Sequence, residues 1–113
     1  ILRTSLPECG NEKVLADIAK RFNDAEDGTW HRGVYMSGIT RIRERRLLDN
    51  EYRLINRRYC RARAVFSGSK NRLVFYLIEE GQGLAGWGWN VEFCVNGLDP
   101  WRVYDGSCRV LNH

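Results

Sequence analysis

Hydrophobic residues in the first quarter of the chain recur at the spacing of an amphipathic helix. In the segment 11–24, NEKVLADIAKRFND, the apolar side chains that would share one helix face are Val14, Leu15, Ile18 and Phe22. Asn11 is suited to cap the start of this helix, and Asp27-Gly28 is suited to stop it. We therefore expect one helix that buries a single face.

From about residue 34 the hydrophobic pattern alternates, which is typical of β-strands. The predicted strands are 34–43, with a bulge near Gly38, then 52–66, 73–78 and about 87–95. Turn-forming residues at 48–50 and 67–71 separate neighbouring strands, and the tail 101–111 can add a short fifth strand. The pattern predicts an α+β fold in one domain over residues 1–113, with the N-terminal helix packed on an antiparallel four- to five-stranded meander sheet.

Composition narrows the class of protein without changing this architecture. The chain has 113 residues, of which 43% are hydrophobic and 28% charged, close to the average for a single globular domain. No apolar run approaches the roughly 20 residues of a membrane-spanning helix. With two histidines and no HExxH or GxSxG motif, the sequence predicts no metal site and no cofactor.

The four cysteines are widely spaced, and none forms a CxxC motif, which argues against a zinc ribbon or a thioredoxin-type redox site. An even number in a small domain favours two disulfides in an oxidising compartment, and the alternative is four reduced, buried thiols. Three pairings are possible. We expect Cys94–Cys108, because turn signals at 96–97 and 105–106 can fold the chain back, and this leaves Cys9–Cys60.

The chain starts at Ile1 without an initiator Met, as it would after removal of an export signal. Together with the predicted disulfides, this start leads us to expect a periplasmic or secreted protein.

A glycine-rich segment matches the dinucleotide-binding pattern GxGxxG at Gly81, Gly83 and Gly86. Such a site needs a helix directly after the glycines to meet the pyrophosphate, whereas the alternation that follows predicts a strand. We therefore expect a β-connection that binds no nucleotide. The functional alternative is a ligand-facing loop or interface formed by Gly83, Gly86, Trp87 and Trp89.

Candidate catalytic groups are few. Glu79 and Glu92 lie on neighbouring predicted strands and could mimic the carboxylate pair of a glycosidase, with His31 as a possible general base. Strand-end acids more commonly pair with arginines, so a small glycan or peptidoglycan hydrolase is an alternative interpretation and no catalytic residue is assigned.

Positive charge is concentrated in residues 41–72, which contain eleven basic and three acidic residues. Alternation places several of these on the sheet face away from the helix, where Arg45 would join them if the first two strands are neighbours. The predicted anion-binding residues are Arg41, Arg43, Arg53, Arg57, Tyr59, Arg61 and Arg63. The alternative is a solvated face whose arginines pair with acids of the fold.

A resemblance to other proteins rests on four segments: RYC (58–60), YLIEEGQG (76–83), WNVEFCVNGLDPW (89–101) and YDGSCR (104–109). They resemble a group of short, uncharacterised exported proteins of alphaproteobacteria. The resemblance covers about the C-terminal half and implies export and paired cysteines. It brings no catalytic or binding residues.

The leading hypothesis from the sequence is a non-catalytic module that binds an anionic envelope polymer, a lipid headgroup or an acidic protein through its arginine face. Nucleic acid is disfavoured because an exported protein rarely meets it. A second alternative beside the hydrolase is a structural or assembly subunit whose interface contains Trp87, Trp89 and Trp101.

Overall fold

The computed structural model describes residues 6–48, 56–80, 88–98 and Cys108. In that part of the chain one α-helix and a short π-helical turn precede four β-strands. The predicted turn at 48–50 starts too early, because Leu48 is the last residue of the first strand. The rest of that turn, Arg53, the loop 81–87 and the tail on either side of Cys108 lie outside the described residues.

The helix α1, Glu12–Ala25, forms where the periodicity predicts it. The Asn11 side chain caps it, since its Oδ1 accepts hydrogen bonds from the backbone amides of Lys13, at 2.8 Å, and Val14, at 3.3 Å. These bonds satisfy two of the amides that a helix start leaves without an intrahelical partner. The buried face of α1 consists of Val14, Ile18 and Phe22.

The predicted stop at Asp27-Gly28 is wrong, because both residues lie inside a π-helical turn, Glu26–Trp30, that continues α1. His31 ends the turn in the left-handed conformation, with φ of 50°, and its amide donates to the carbonyl of Glu26 at 2.8 Å.

A buried carboxylate explains why the chain makes this extra turn. Glu26 is fully buried and accepts hydrogen bonds from Arg32 Nε, at 2.9 Å, and from the Val34 amide, at 3.3 Å. Burial works to raise the pKa of Glu26, but the bonds from Arg32 and the backbone outweigh it and lower the pKa below its ordinary value. The carboxylate therefore ties the end of the helical segment to the start of the sheet.

The sheet is an antiparallel meander in which each strand pairs with its neighbours in the chain, in the order β1-β2-β3-β4. Its strands are β1, Tyr35–Leu48; β2, Arg57–Ser67; β3, Arg72–Glu80; and β4, Trp89–Val95. This confirms the predicted fold class. Strand β2 begins later than predicted, at Arg57, and Asn56 lies outside it.

The main core lies between α1 and one face of the sheet. Phe22 of the helix packs on Phe66 of β2 with 5.3 Å between the ring centroids. The other strand residues buried in this core include Cys60, Ala62, Ala64, Val74, Tyr76, Ile78, Val91 and Val95. Their alternation follows the parity that the sequence predicts for β2, β3 and β4.

Two disulfides join Cys9 to Cys60 and Cys94 to Cys108, and both pairings are those predicted. Around the first bridge, the buried Tyr76 hydroxyl donates to the carbonyl of Cys9 at 2.7 Å. Burial raises the pKa of the Tyr76 phenol, so the group remains a donor across the physiological range. The disulfide and this hydrogen bond fasten the segment before α1 to the sheet.

The end of α1 also contacts the outer strand β1. The Asn23 side chain accepts a hydrogen bond from the Met36 amide at 2.8 Å and donates one to the Met36 carbonyl at 3.1 Å. This pair of bonds fixes where the helix crosses the first strand.

Candidate anion-binding site

Strand β2 presents all of its arginines except Arg58 on the sheet face away from α1. Its inward side chains are buried, whereas Arg57, Tyr59, Arg61 and Arg63 are half-buried or exposed on the opposite face. The predicted parity of β2 is therefore confirmed. Neighbouring arginines at i and i+2 on such a strand lie about 7 Å apart.

Strand β1 adds a second set of arginines to the same face of the sheet. In the register of the two strands, Arg43 is directly opposite Arg61, and Thr40 is opposite Arg63. Directly opposed residues of antiparallel strands project to the same face with Cβ atoms about 5 Å apart. Arg43 and Arg61 are thus a like-charged cross-strand pair, an arrangement that destabilises a sheet unless something offsets it.

A bulge in β1 lies between the Thr40–Arg63 pair and the Arg43–Arg61 pair. Arg41 and Ile42 together occupy the place opposite Ala62, and Arg41 takes a φ of 53°. A non-glycine residue seldom adopts this left-handed conformation. The bulge keeps Ile42 packed against the main core while Arg41 and Arg43 both reach the arginine face.

The predicted bulge near Gly38 is confirmed, but the parity predicted for the rest of β1 is wrong, because the strand contains two further register shifts. Besides the predicted irregularity near Gly38, shifts occur between Thr40 and Arg43 and between Glu44 and Arg46. The last shift places Arg46 opposite Tyr59, on the arginine face, which the alternation had assigned to Arg45. Arg46 is therefore a residue that the sequence analysis missed, since no glycine or proline marks the third bulge.

Four arginines, two from β1 and two from β2, line one depression of about 380 Å³. We call this set the arginine cluster, and its members are Arg41, Arg43, Arg61 and Arg63. The side chain of Leu73, on β3, contributes an apolar wall. Beyond Leu73 the same face is apolar, because Phe75 and Leu77 are buried with the Cys94–Cys108 disulfide.

Other arginines of these strands have acidic partners. Arg57 Nε lies 2.9 Å from Glu79 Oε2, and Arg58, buried on the helix side, pairs with Glu44 and donates to the carbonyl of Pro7 at 3.0 Å. Among the described residues, no acid forms an ion pair with a member of the arginine cluster. The cluster therefore combines four positive charges that the described fold leaves unneutralised.

The residues considered for catalysis are arranged differently. The β3–β4 register sets Glu79 opposite Asn90 and Leu77 opposite Glu92, so the two acids are diagonal neighbours on the face away from α1. Glu79 is held by Arg57. His31 is exposed at the end of the π-helical turn, before β1, and does not belong to β3 or β4, which carry Glu79 and Glu92.

The glycine-rich segment joins β3 to β4, which pair antiparallel from Glu80 and Trp89. This confirms the predicted β-connection, and Gly88 has a φ of 95°, a conformation that glycine adopts readily. Gly83, Gly86 and Trp87 lie outside the described residues. Trp89 begins β4 and is half-buried against the main core.

No protein family, curated protein or solved structure matches this chain. The two disulfides indicate an oxidising compartment outside the cytoplasm. Within the described ranges, no helix is long and apolar enough to cross a membrane, and no group of three or more His, Cys, Asp or Glu residues is placed to hold a metal ion.

Proposed function

We propose that this protein is a non-catalytic binding module of the periplasm or the extracellular space, and that its arginine cluster binds an anionic ligand of the cell envelope. The observation that carries the proposal is the direct pairing of Arg43 with Arg61, two like charges without an acidic partner among the described residues. A fold that retains such repulsion gains stability when an anion neutralises it.

The neighbouring ion pairs support this interpretation. Arg57 and Arg58 lie on β2 with Arg61 and Arg63, and each of them is paired with an acid, Glu79 and Glu44 respectively. A face that served only to keep the protein soluble would not need four arginines around one depression. The resemblance to exported alphaproteobacterial proteins supports a ligand in the envelope.

The test is a single charge reversal, Arg43→Glu, assayed with a fluorescently labelled sulfated polysaccharide at low and at physiological salt. The substitution sets a carboxylate opposite Arg61, so the fold should be at least as stable as the wild type. Binding should weaken about tenfold or more, because a like charge now faces the anion. Wild-type binding should fall steeply as salt increases.

The matched control is Lys13→Glu, which makes the same change in net charge at an exposed position on α1. We expect it to alter binding less than twofold. Equal losses in the two variants would show that only net charge matters and would refute a site at the arginine cluster. Failure of the wild type to bind any anionic polymer or vesicle would refute the proposed function itself.

A further inference from the structure

The arginine cluster is a compact site and not an extended track. Its four arginines line one depression of about 380 Å³, which lies at the lower end of the range for small-molecule sites. A polymer track would instead continue along β2 to Arg57, but Arg57 is held by Glu79 on β3. Toward Arg57 the same face also presents Arg46, opposite Tyr59, but Arg46 does not line the depression. The four arginines of the cluster are therefore the ones that a single small group can contact together.

The bulge in β1 brings two arginines to the depression. Thr40 lies opposite Arg63 on the arginine face, so strict alternation from Thr40 would turn both Arg41 and Arg43 toward α1. The extra residue opposite Ala62 instead sets Arg43 opposite Arg61, and Arg41 and Arg43 both line the depression. The left-handed φ of Arg41, 53°, is unfavourable for an arginine, and strained backbone of this kind is common at ligand-binding sites.

The chemistry of the cluster favours a dense double charge. Each guanidinium presents a planar fork that binds two oxygens of one group, and a phosphate monoester offers three terminal oxygens with a charge of about −1.5 to −2 at neutral pH. A carboxylate or a sulfate ester offers a single charge. Leu73 supplies an apolar wall for the group that carries the phosphate.

We propose that the arginine cluster, acting as the site of the proposed function, selects a phosphate monoester by clamping it between Arg43 and Arg61, with Arg41 and Arg63 completing the shell. The shared chemistry is a terminal phosphate group of about −1.5 to −2 charge, which a phosphorylated sugar, the headgroup of phosphatidic acid or free inorganic phosphate can supply.

The first experiment compares three probes at equal ionic strength by calorimetry with the wild-type protein. Phenyl phosphate is the monoester, and phenyl sulfate and methyl phenyl phosphate are the singly charged analogues. We expect phenyl phosphate to bind at least tenfold more tightly than either analogue. Inorganic phosphate, and phosphatidylcholine vesicles that carry phosphatidic acid or an equal amount of phosphatidylglycerol, then distinguish a free from a lipid source.

Two variants of Arg41 separate binding from folding. Arg41→Gly removes the guanidinium and relieves the unfavourable φ, so its melting temperature should rise while phenyl phosphate binding weakens. Arg41→Ala removes the same group without that relief, so binding should weaken with no gain in melting temperature. Arg43→Lys keeps the positive charge but lacks the planar guanidinium that binds two oxygens at once. It should lower the affinity for phenyl phosphate about tenfold, so the ratio of the affinities for phenyl phosphate and phenyl sulfate should decrease.

The outcomes separate the two proposals. If the labelled polysaccharide binds but phenyl phosphate shows no preference over its analogues, the monoester assignment is wrong and the broader anion-binding function stands. If neither the polysaccharide nor any phosphate probe binds, both are wrong. Unchanged phenyl phosphate binding in Arg41→Gly and Arg43→Lys would place any observed binding elsewhere on the molecule.

Discussion

The two disulfides differ mainly in the length of chain that each one closes. Cys9–Cys60 spans 51 residues and Cys94–Cys108 spans 14. All four cysteines are buried, so replacing either pair with alanines removes similar buried sulfur and leaves similar space. A comparison of the two double variants therefore tests mainly the effect of loop length on the free energy of unfolding.

In the chain-entropy treatment, closing loops of 51 and 14 residues stabilises the fold by about 4 and about 3 kcal/mol. The whole domain of 113 residues is expected to have a free energy of unfolding of about 6–17 kcal/mol. Loss of Cys9–Cys60 therefore removes a large fraction of the stability. It also frees the segment before α1, in which the Cys9 carbonyl accepts a hydrogen bond from the Tyr76 hydroxyl. This adds to the difference in the free energy of unfolding between the two double variants.

The measurement is urea unfolding of both double variants, followed by the fluorescence of the four tryptophans. The Cys9→Ala/Cys60→Ala variant should be less stable than Cys94→Ala/Cys108→Ala by about 1 kcal/mol or more. Its urea dependence should also be steeper, because its unfolded chain is less constrained. A Cys94–Cys108 loss that costs as much or more would refute the loop-length reasoning. Before reduction, wild-type protein in denaturant should show no free thiol.

Two further predictions concern buried polar groups on the helix side. Tyr76→Phe leaves the Cys9 carbonyl without its donor and should lower the free energy of unfolding by about 1–3 kcal/mol in urea titrations, and an unchanged midpoint would contradict this. For Glu26 the folded pKa lies below its ordinary value of 4.5, so its stabilising contribution is complete above that pH and is lost as the pH falls toward the folded pKa. Glu26→Gln should therefore show a shallower loss of stability below pH 4.5 than the wild type, and parallel pH profiles would contradict the assignment.

Local signals in the sequence were sufficient for the helix and for three of the four strands. Asn11 caps α1 as its residue type predicts, and burial alternates along β2 as its sequence does. In β3 and β4 the predicted parity gives the residues that face α1, although β3 is buried on both faces. The disulfide pairings followed from turn chemistry between Cys94 and Cys108, with the remaining pair assigned by elimination.

The sequence was least informative where tertiary contacts override a local pattern. The stop at Asp27-Gly28 was wrong because a buried carboxylate, Glu26, finds Arg32 only after the chain has turned once more. The parity of β1 was lost at bulges that have no turn-forming residue, so Arg46 could not be assigned to the arginine face. The separation of Arg57 from the cluster likewise required the β2–β3 register, which sets it opposite Glu79.

The contact between Asn23 and Met36 has a consequence for association between molecules. Strand β1 is an outer strand of the described sheet, and an outer strand exposes backbone groups that a strand of another molecule can pair with. The backbone N–H and carbonyl of Met36 are both already hydrogen-bonded to the side-chain amide of Asn23, so they cannot pair with an incoming strand. Further along β1 the exposed side chains are mostly charged and the backbone is bulged, both of which disfavour such pairing. These features disfavour pairing of the 14-residue outer strand with a strand of another molecule, and with it one route to aggregation.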